Sequence, residues 1–299
     1  MQDALINVNG QILAPDHAKV SVFDRSYLYG DSLYEVVRSY HGKFFRLDEH
    51  LDRLVKSAAL CQMKVDQSLD FFKKEIYRTF AAFQKQKGFE NTEAYLRLVV
   101  SRGTGKIGFG LKNLTTPSTY TVYVLPIDSM MPTPAQYSKG ASIQISSRMR
   151  NDKRALDPAM KSGNYLNSLL AYLTATEAGF DDAIMCNADG HVAEGTTFNI
   201  WYVKRGILVS PDFEIGMLDG ITRLEILTLA KKLKILLRLT RFPKERLYEA
   251  DEVFLTGSFK EVFPITQLDS HKIGNGKPGP VTNLLARAYK EVVESETSS

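Results

Sequence analysis

The chain carries two different patterns of strand and helix, separated by a proline-containing segment at residues 127–136. Before this segment, strand-like runs alternate with two amphipathic helical runs, which predicts a small α+β domain over residues 1–126. After it, strands are interleaved with helices, which predicts a larger α/β domain over residues 137–299. The length of 299 residues also favours two domains. Residues 127–136 are therefore predicted to be an interdomain linker.

Turn and strand signals define the elements of the first domain. The Asn-Gly pair at residues 9–10 predicts a hairpin, and the His-Gly pair at residues 41–42 lies between two further predicted strands. Helices are predicted to begin at Asp48 and to cover about residues 69–86. AYLRLVVS and STYTVYVLP, rich in β-branched and aromatic residues, are predicted strands joined by a glycine-rich segment.

The second domain repeats the alternation of strand and helix several times. Strands are predicted at ASIQIS, DAIMCN, NIWYV, GILVS and EVFLTG. Helices are predicted near residues 164–178, 221–234 and 281–294. The order of these elements favours an α/β architecture.

Composition excludes several classes of protein. The formal net charge is +4, from 38 Lys and Arg against 34 Asp and Glu, and no polybasic tract indicates nucleic-acid binding. Cys61 and Cys186 are the only cysteines, and the histidines show no zinc-binding spacing, so neither disulfides nor a metal site is expected. No run of 18 apolar residues occurs, and the first residues lack a signal-peptide pattern. We expect a cytoplasmic protein that binds no membrane and no nucleic acid.

A glycine-rich motif, Gly103-x-Gly105-x-x-Gly108, follows a predicted strand and matches the dinucleotide-binding fingerprint in its letters. That fingerprint needs a helix directly after it, whose N-terminus faces the pyrophosphate. Here the chain continues to Pro117 and another strand. The sequence therefore favours a loop between two strands over a non-catalytic nucleotide-binding module.

Lys161 lies beside the small residues Ser162 and Gly163, just before an apolar helical run. A lysine that is desolvated in a cleft can attack a carbonyl as the neutral amine and form a Schiff base. An exposed loop lysine is the other interpretation of this position.

A Schiff-base cofactor also needs an anion site, a partner for its pyridine nitrogen and a donor to its phenolic oxygen. Backbone N–H groups at Gly220-Ile221-Thr222, which begin a predicted helix, and at Thr256-Gly257-Ser258 are candidates for the anion site. Glu194 and Tyr165 are candidates for the other two roles. Taken singly, Thr222 also fits an ordinary helix N-terminus and Glu194 a solvated turn.

A series of motifs, in a fixed order, resembles one enzyme family. FDRSYLYGDSLYEVVR, HLDRL, KSGNYLNSLLA, AEGTTFNIW, LDGITR and DEVFLTGS are similar to segments of the class IV (fold type IV) aminotransferases, which depend on pyridoxal 5'-phosphate. The resemblance spans nearly the whole chain. It implies the two-domain α/β fold of the D-amino acid and branched-chain aminotransferases, with the cofactor between the domains. It also implies a homodimer whose partner contributes to each site.

The resemblance implies a role for individual residues. Lys161 corresponds to the lysine that bonds the cofactor and moves the proton between the substrate Cα and the cofactor C4′. Glu194 corresponds to the partner of the pyridine nitrogen. Tyr165 corresponds to the donor to the phenolic oxygen, and Leu218 to the apolar residue on the ring face. The implied phosphate site comprises Arg53, Ile221, Thr222 and Ser258.

The type of aminotransferase is less clearly indicated. YLYGDSLYE and AYLRLVVSRGTGKIGFG are similar to archaeal-type branched-chain aminotransferases. Tyr34, however, begins Y-E-V-V-R, which is closer to D-amino acid aminotransferases than the F-E-G-I-R of branched-chain enzymes. The implied substrate-pocket positions are Tyr29, Arg38, Tyr95 and Arg97.

A second departure follows Ser258. Phe259 and Lys260 stand where branched-chain enzymes have two small residues, whose backbone amides bind the substrate carboxylate. Phe259 would crowd that approach, whereas Lys260, Arg97 or Arg102 would supply a cation instead. A similar S-x-x-E-V-x-P-I loop occurs in aminodeoxychorismate lyases, and Lys260 fits a solvated loop lysine equally well.

We expect a homodimeric transaminase that exchanges an amino group between an amino acid and a 2-oxo acid such as 2-oxoglutarate or pyruvate. Hydrophobic, branched-chain L-amino acids are the first expected substrates, and D-amino acids the second. A lyase that eliminates pyruvate from aminodeoxychorismate is the alternative with the same fold.

Overall fold

The computed structural model describes residues 3–298, and the chain folds as two compact units. The first unit contains the described residues up to Met130, together with Met160–Asn164 and the residues from Glu294 onward. The second contains Met131–Ala159 and Tyr165–Val293. No helix within residues 3–298 is both long and apolar enough to cross a membrane.

A six-stranded antiparallel sheet forms the centre of the first unit. Its strands are β1 (Leu5–Val8), β2 (Gln11–Leu13), β3 (Ser32–Tyr40), β4 (Lys43–Phe44), β5 (Ala94–Ser101) and β6 (Thr119–Pro126). They lie side by side in the order β2-β1-β6-β5-β3-β4. The helices of this unit are α1 (Arg25–Tyr29), α2 (Leu47–Leu60) and α3 (Leu69–Gln84).

The core of the first unit is formed by this sheet with α2 and α3. Alternate residues of β5 are buried, so Leu96 and Leu98 point to the core. In α3, Phe72, Ile76 and Phe80 recur every four residues and are buried on one face. Each such side chain contributes about 1.5–3 kcal/mol of transfer free energy. This packing supports the strands that carry the candidate site.

A nine-stranded mixed sheet forms the centre of the second unit. Its strands are β7 (Ala141–Ile145), β8 (Asp182–Cys186), β9 (Val192–Gly195), β10 (Asn199–Lys204), β11 (Ile207–Ser210), β12 (Leu237–Leu239), β13 (Glu252–Gly257), β14 (Glu261–Leu268) and β15 (His271–Lys272). They lie in the order β12-β11-β10-β13-β14-β7-β8-β9, with β15 paired to β14. The helices are α4 (Pro134–Lys139), α5 (Leu166–Glu177), α6 (Ile221–Lys232), α7 (Glu245–Tyr248) and α8 (Pro280–Thr297), although the last turn of α8, from Glu294, belongs to the first unit. β10 and β13 are buried along nearly their whole length, so both of their faces are covered.

Most predicted elements are present. The hairpins at residues 9–10 and 41–42 form as β1–β2 and β3–β4, and both turns have positive φ angles. Helix α2 begins at Leu47, one position before the predicted start at Asp48. Helix α3 ends at Gln84 rather than near residue 86. These differences lie at helix ends, where boundaries depend on local capping.

The sequence did not predict β9, β12, β14 and β15, nor the short helices α1, α4 and α7. β14 contains Pro264, which argues against an interior strand because proline cannot donate a ladder hydrogen bond. β14 nevertheless lies between β13 and β7, and Pro264 is opposite Phe254. The very short strands β12 and β15 are too short to show an alternating pattern.

The predicted linker at residues 127–136 contains a 3-10 turn at Asp128–Met130 and the start of α4. The division between the units falls after Met130, inside this segment. The structure differs from the predicted scheme at Lys161, which groups with the first unit because its segment bonds to β3. The Tyr34 N–H donates to the Lys161 carbonyl at 3.0 Å, and the Gly163 N–H donates to the Ser32 carbonyl at 2.8 Å. The boundaries 1–126 and 137–299 remain predictions.

Candidate active site

The Lys161 amine lies against Tyr34 in the first unit. Its Nζ donates to the Tyr34 hydroxyl at 3.4 Å and lies 4.4 Å from the centre of the ring. The Lys161 N–H also donates to Ser57 Oγ of α2 at 3.1 Å. Tyr34 is buried and Lys161 is half-buried, so the exposed loop lysine of the alternative interpretation is not what the structure shows. Ser57 thus holds the main chain of Lys161, and Tyr34 holds its side chain.

Arg97 lies over the same ring. Its guanidinium is 4.0 Å from the centre of the Tyr34 ring, because β3 and β5 pair with Tyr34 opposite Val99 and place Arg97 diagonally across from it. Among residues 3–298, no carboxylate forms an ion pair with Arg97. A half-buried cation without an acidic partner is a candidate binding group for an anion.

Arg53 is fixed by a buried acidic side chain that the sequence analysis did not single out. Arg53 donates from Nε to Glu35 Oε1 at 2.9 Å and from Nη2 to Glu35 Oε2 at 2.6 Å. His50 Nδ1 contacts the same carboxylate at 2.8 Å. Burial would raise the pKa of Glu35, but the charge and hydrogen bonds of Arg53, helped by His50, lower it to about 2. Burial also lowers the pKa of His50, despite its contact with Glu35.

Arg102 is engaged by the first unit itself. Its Nε donates to Asp31 at 2.7 Å, and its other nitrogens donate to the carbonyls of Cys61 and Gln62 at 2.9 and 2.7 Å. Arg25 donates to the same Asp31 oxygen at 2.8 Å. Burial opposes ionisation of Asp31, but the hydrogen bonds and charges of the two arginines lower its pKa. Arg102 is therefore a support for this corner of the first unit.

The glycine-rich motif forms a loop between β5 and β6 rather than a turn into an α-helix. The Gly108 N–H donates to the Tyr29 hydroxyl at 2.9 Å, and Arg25 donates to the Gly108 carbonyl at 3.1 Å. No dinucleotide-binding turn is present among the described residues of this loop. The prediction that this motif is a loop between two strands is confirmed.

Two other predicted pocket residues lie on neighbouring strands of the first sheet. Arg38 of β3 is in register with Tyr95 of β5. The Arg38 guanidinium lies 4.2 Å from the centre of the Tyr40 ring. The first unit thus brings Arg38 and Tyr95 together, and separately Tyr34, Arg97 and Lys161.

Glu194 lies in β9 of the second unit and is buried. Arg150 Nε donates to its Oε1 at 2.8 Å, and the Leu218 N–H donates to its Oε2 at 3.1 Å. Asn199 donates to the Leu218 carbonyl at 2.8 Å. Glu194 and Leu218, both predicted from the resemblance, are therefore neighbours, whereas the solvated turn considered for Glu194 is absent.

The predicted anion site of the second unit lies at the N-terminus of α6. Gly220 is the N-cap residue and supplies no side-chain cap, and Thr222 is buried in the first turn. A Cβ at Gly220 would overlap with the side-chain oxygen of Asn199, so a larger residue here would displace Asn199. The first N–H groups of a helix have no partner within the helix and favour a bound anion.

Ser258, Phe259 and Lys260 form the turn between β13 and β14, where Gly257 is in register with Glu261. Lys260 Nζ lies 3.5 Å from Asp182 Oδ2, and Asp182 is buried while Lys260 is about one-third exposed. Lys260 is thus directed to an acidic residue of its own unit. Tyr165 is the N-cap residue of α5.

Glu35, Arg150 and Asp182 were not predicted by the sequence analysis, although each contacts a residue that was. Glu35 lies inside the Y-E-V-V-R motif, which is the one available signal. In residues 3–298, no group of three or more His, Cys, Asp or Glu side chains is arranged to hold a metal ion.

Residues 32–268 match the family described as amino-transferase class IV. The chain belongs to this family. It is 33% identical over 306 residues to the branched-chain-amino-acid aminotransferase of Pseudomonas aeruginosa, covering 100% of this chain and 95% of the relative. It is also 33% identical over 294 residues to the D-alanine aminotransferase of Bacillus licheniformis, covering 97% of each protein.

A solved structure of the family has the same fold. The branched-chain amino acid aminotransferase from T.th., complexed with N-(5'-phosphopyridoxyl)-L-glutamate, matches with a TM-score of 0.85 and 31% identity, covering 97% of this chain and 93% of that chain. The predicted family, the fold type IV α/β class and the aminotransferase activity are therefore confirmed. The residue roles remain predictions.

Proposed function

We propose that this class IV aminotransferase uses pyridoxal 5'-phosphate to transfer the amino group of a hydrophobic L-amino acid, branched-chain ones first, to 2-oxoglutarate or pyruvate. The observation that carries the proposal is the Lys161 amine, held on the ring and hydroxyl of Tyr34 within a chain of this family. When bound, the cofactor supplies an aldehyde that bonds amines and a ring that withdraws electrons.

The side chains present fit such a cofactor. The N-terminus of α6 has no side-chain cap, so its N–H groups and the Thr222 hydroxyl suit a phosphate. Arg53 would add a guanidinium whose direction is fixed by Glu35. Glu194 would offer a buried carboxylate to a pyridinium N–H. The remaining residues that would hold the cofactor are Tyr165, Leu218, Ile221 and Ser258.

Lys161 would hold and move the reacting proton. As a neutral amine, it would accept the proton from the substrate Cα and return it at the cofactor C4′. Tyr34 would keep the amine in place while it carries the proton, since its hydroxyl and ring both contact Nζ. The reverse transfer with a 2-oxo acid would use the same two residues.

Arg97 is our choice for the cation that binds a substrate carboxylate. The sequence offered Arg97, Arg102 and Lys260 as candidates for this cation without distinguishing them, but their surroundings in the structure differ. Arg102 is bound by Asp31 and two carbonyls, and Lys260 lies near Asp182. Arg97 has only the Tyr34 ring as a described contact and forms no ion pair within residues 3–298. A guanidinium without an acidic partner among those residues is suited to bind a substrate carboxylate.

A D-amino acid aminotransferase is the second candidate function. Tyr34 in Y-E-V-V-R favours it, and the D-alanine aminotransferase of B. licheniformis is as similar in sequence as the branched-chain enzyme of P. aeruginosa. Phe259 also departs from the small-residue turn of branched-chain enzymes. The lyase remains a third candidate of the same fold.

The experiment that tests these assignments is a visible absorption spectrum of the purified protein during separate additions of L-leucine, D-alanine, D-glutamate and an (R)-amine. We expect L-leucine to convert the cofactor band fastest and to yield glutamate when 2-oxoglutarate is present. Conversion by D-alanine or D-glutamate without conversion by L-leucine would establish the second candidate instead. Pyruvate release from aminodeoxychorismate without amino transfer would establish the lyase.

We also propose a homodimer. Two segments of the first unit expose large apolar side chains to at least half, among them Val22, Phe23 and Tyr27 in one segment and Ile107 and Phe109 in the other. The two segments are joined by hydrogen bonds, from Gly105 N–H to the Phe23 carbonyl and from Arg25 to Gly108. A joined apolar surface of this kind is typical of a subunit interface.

Light scattering during size-exclusion chromatography tests the homodimer. Phe109→Ser should raise the monomer fraction, whereas Leu236→Ser, at an exposed residue of the second unit, should not. A wild type that elutes as a monomer, or a dimer that both substitutions leave intact, would contradict this interface.

A further inference from the structure

Arg150 lies directly beside Glu194 in the second unit. Its Nε donates to Glu194 Oε1 at 2.8 Å, while the Leu218 N–H donates to Oε2 at 3.1 Å. Glu194 is buried, and only 13% of the Arg150 side chain is exposed. Both oxygens of the carboxylate therefore have a donor that sets their direction, and the guanidinium compensates the buried charge.

Arg150 is itself held by two elements of the second unit. Its N–H donates to the Cys186 carbonyl at the end of β8 at 2.8 Å. Asn167 of α5 contacts the residues on either side, donating to the Met149 carbonyl at 2.9 Å and accepting from the Asn151 N–H at 3.2 Å. The Arg150 guanidinium also donates to the side-chain oxygen of Asn167, at 3.4 Å.

The same contacts connect the residues that would surround the cofactor ring. Asn167 lies two positions after Tyr165 in the first turn of α5. Arg150 links this turn to Glu194, and Glu194 accepts from Leu218. Arg150 thus connects Glu194, which Leu218 also contacts, to the helix turn that follows Tyr165.

We propose that Arg150 is a positioning residue, which holds the Glu194 carboxylate in the direction required by the pyridine nitrogen. The inference rests on the proposed function, which assigns that nitrogen to Glu194. Arginine suits the task because its planar guanidinium fixes the direction of the hydrogen bond as well as the charge. If the pair only stabilised the fold, Arg150 would affect every ligand of this site equally.

Equilibrium dialysis of the full-length protein, after removal of cofactor, separates these two roles. The probes are pyridoxal 5'-phosphate and its 1-deaza analogue, which has a C–H group in place of the pyridine nitrogen. The ratio of their dissociation constants reports the contact with that nitrogen alone. We expect wild type to prefer pyridoxal 5'-phosphate by roughly tenfold or more, as for a hydrogen bond with a charged group.

Arg150→Met should reduce that preference to about threefold or less, because the carboxylate loses its fixed direction. Glu194→Gln should also reduce it, and adding Arg150→Met to Glu194→Gln should cause no further reduction. Arg148→Met is the matched control, since Arg148 is an exposed arginine of the same loop, and it should retain the wild-type preference. A preference that Arg150→Met leaves unchanged, or increases, would overturn the positioning role.

Asn167→Ala provides a second variant in case Arg150→Met does not fold. It leaves Arg150 in place but removes the amide that holds the loop, so we expect a smaller reduction in the preference. An unchanged preference in this variant would also contradict the inference. A wild type that binds both probes equally would instead contradict the assignment of Glu194 to the pyridine nitrogen, and with it the proposed function of that residue.

Discussion

Each unit contains a buried arginine–carboxylate pair. The residue predicted to bind the cofactor is the arginine in one pair and the carboxylate in the other. In the first unit, Glu35 and His50 hold Arg53, which is the residue implied to bind phosphate. In the second unit, Arg150 holds Glu194, which is the residue implied to bind the ring. In the proposed assignments, the member of each pair that binds the cofactor carries the charge that suits the group bound, and the other member compensates that charge and fixes its direction.

The largest effect on the aminotransferase rate is expected from Lys161, which belongs to neither arginine–carboxylate pair. Lys161→Ala should lower the aminotransferase rate at least about a thousandfold, because the proposed covalent bond and the proton carrier are both lost. Borohydride reduction of wild type, followed by peptide mapping, should place the cofactor adduct on Lys161. An adduct on another lysine would contradict the assignment.

Replacing the carboxylate of each pair should affect a different property: stability for Glu35 and reaction rate for Glu194. Glu35→Gln should lower the free energy of unfolding by about 3–5 kcal/mol, since it leaves Arg53 and His50 without their buried carboxylate. Glu194→Gln should slow the chemical step by about a hundredfold or more, because the ring loses charge stabilisation. Urea unfolding and single-turnover kinetics on both variants provide the measurement. Equal losses of stability and rate in the two variants would remove the distinction.

Lowering the pH should reduce the stability that the Glu35–Arg53 pair of the first unit contributes. The folded pKa of Glu35 is about 2 against an ordinary value of 4.5, so its contribution is complete above pH 4.5 and is lost as the pH falls toward 2. That contribution is about 3 kcal/mol. The pKa of His50 is also lowered, so its contribution to stability begins to be lost already below about pH 6.5. Glu35→Gln should flatten the fall in melting temperature between pH 4.5 and 2, and a parallel fall in wild type and variant would contradict the assignment.

The smallest expected effects distinguish the unpaired cation of the first unit from the paired cation of the second. Arg97→Met should lower kcat/KM for amino acids by about 10- to 150-fold, the value of a charge-assisted hydrogen bond of about 1.5–3 kcal/mol. Lys260→Ala should lower it by less than about threefold, since the Lys260 amine is directed to Asp182 rather than to a substrate carboxylate. An amine without a carboxylate provides the control substrate. A loss in Lys260→Ala that is confined to amino acids would move the carboxylate site to Lys260.

Local signals in the sequence were sufficient for much of the fold. The turns at residues 9–10 and 41–42 were predictable because each contains a glycine, which tolerates positive φ angles. Strands β5 and β6 were predictable because both segments are rich in β-branched and aromatic residues. Strand β14 was not, because Pro264 gives a local signal that its neighbours in the sheet override.

The sequence by itself determined the family, because its motifs occur in the family's order, and the resemblance predicted roles for Lys161, Glu194 and the N-terminus of α6. It left Arg97, Arg102 and Lys260 equivalent. Only the tertiary structure distinguished them, by placing Asp31 beside Arg102 and Asp182 beside Lys260 across 71 and 78 positions of the chain. Ion pairing depends on distance in space, and residues so far apart in sequence acquire a fixed distance only when the core has packed.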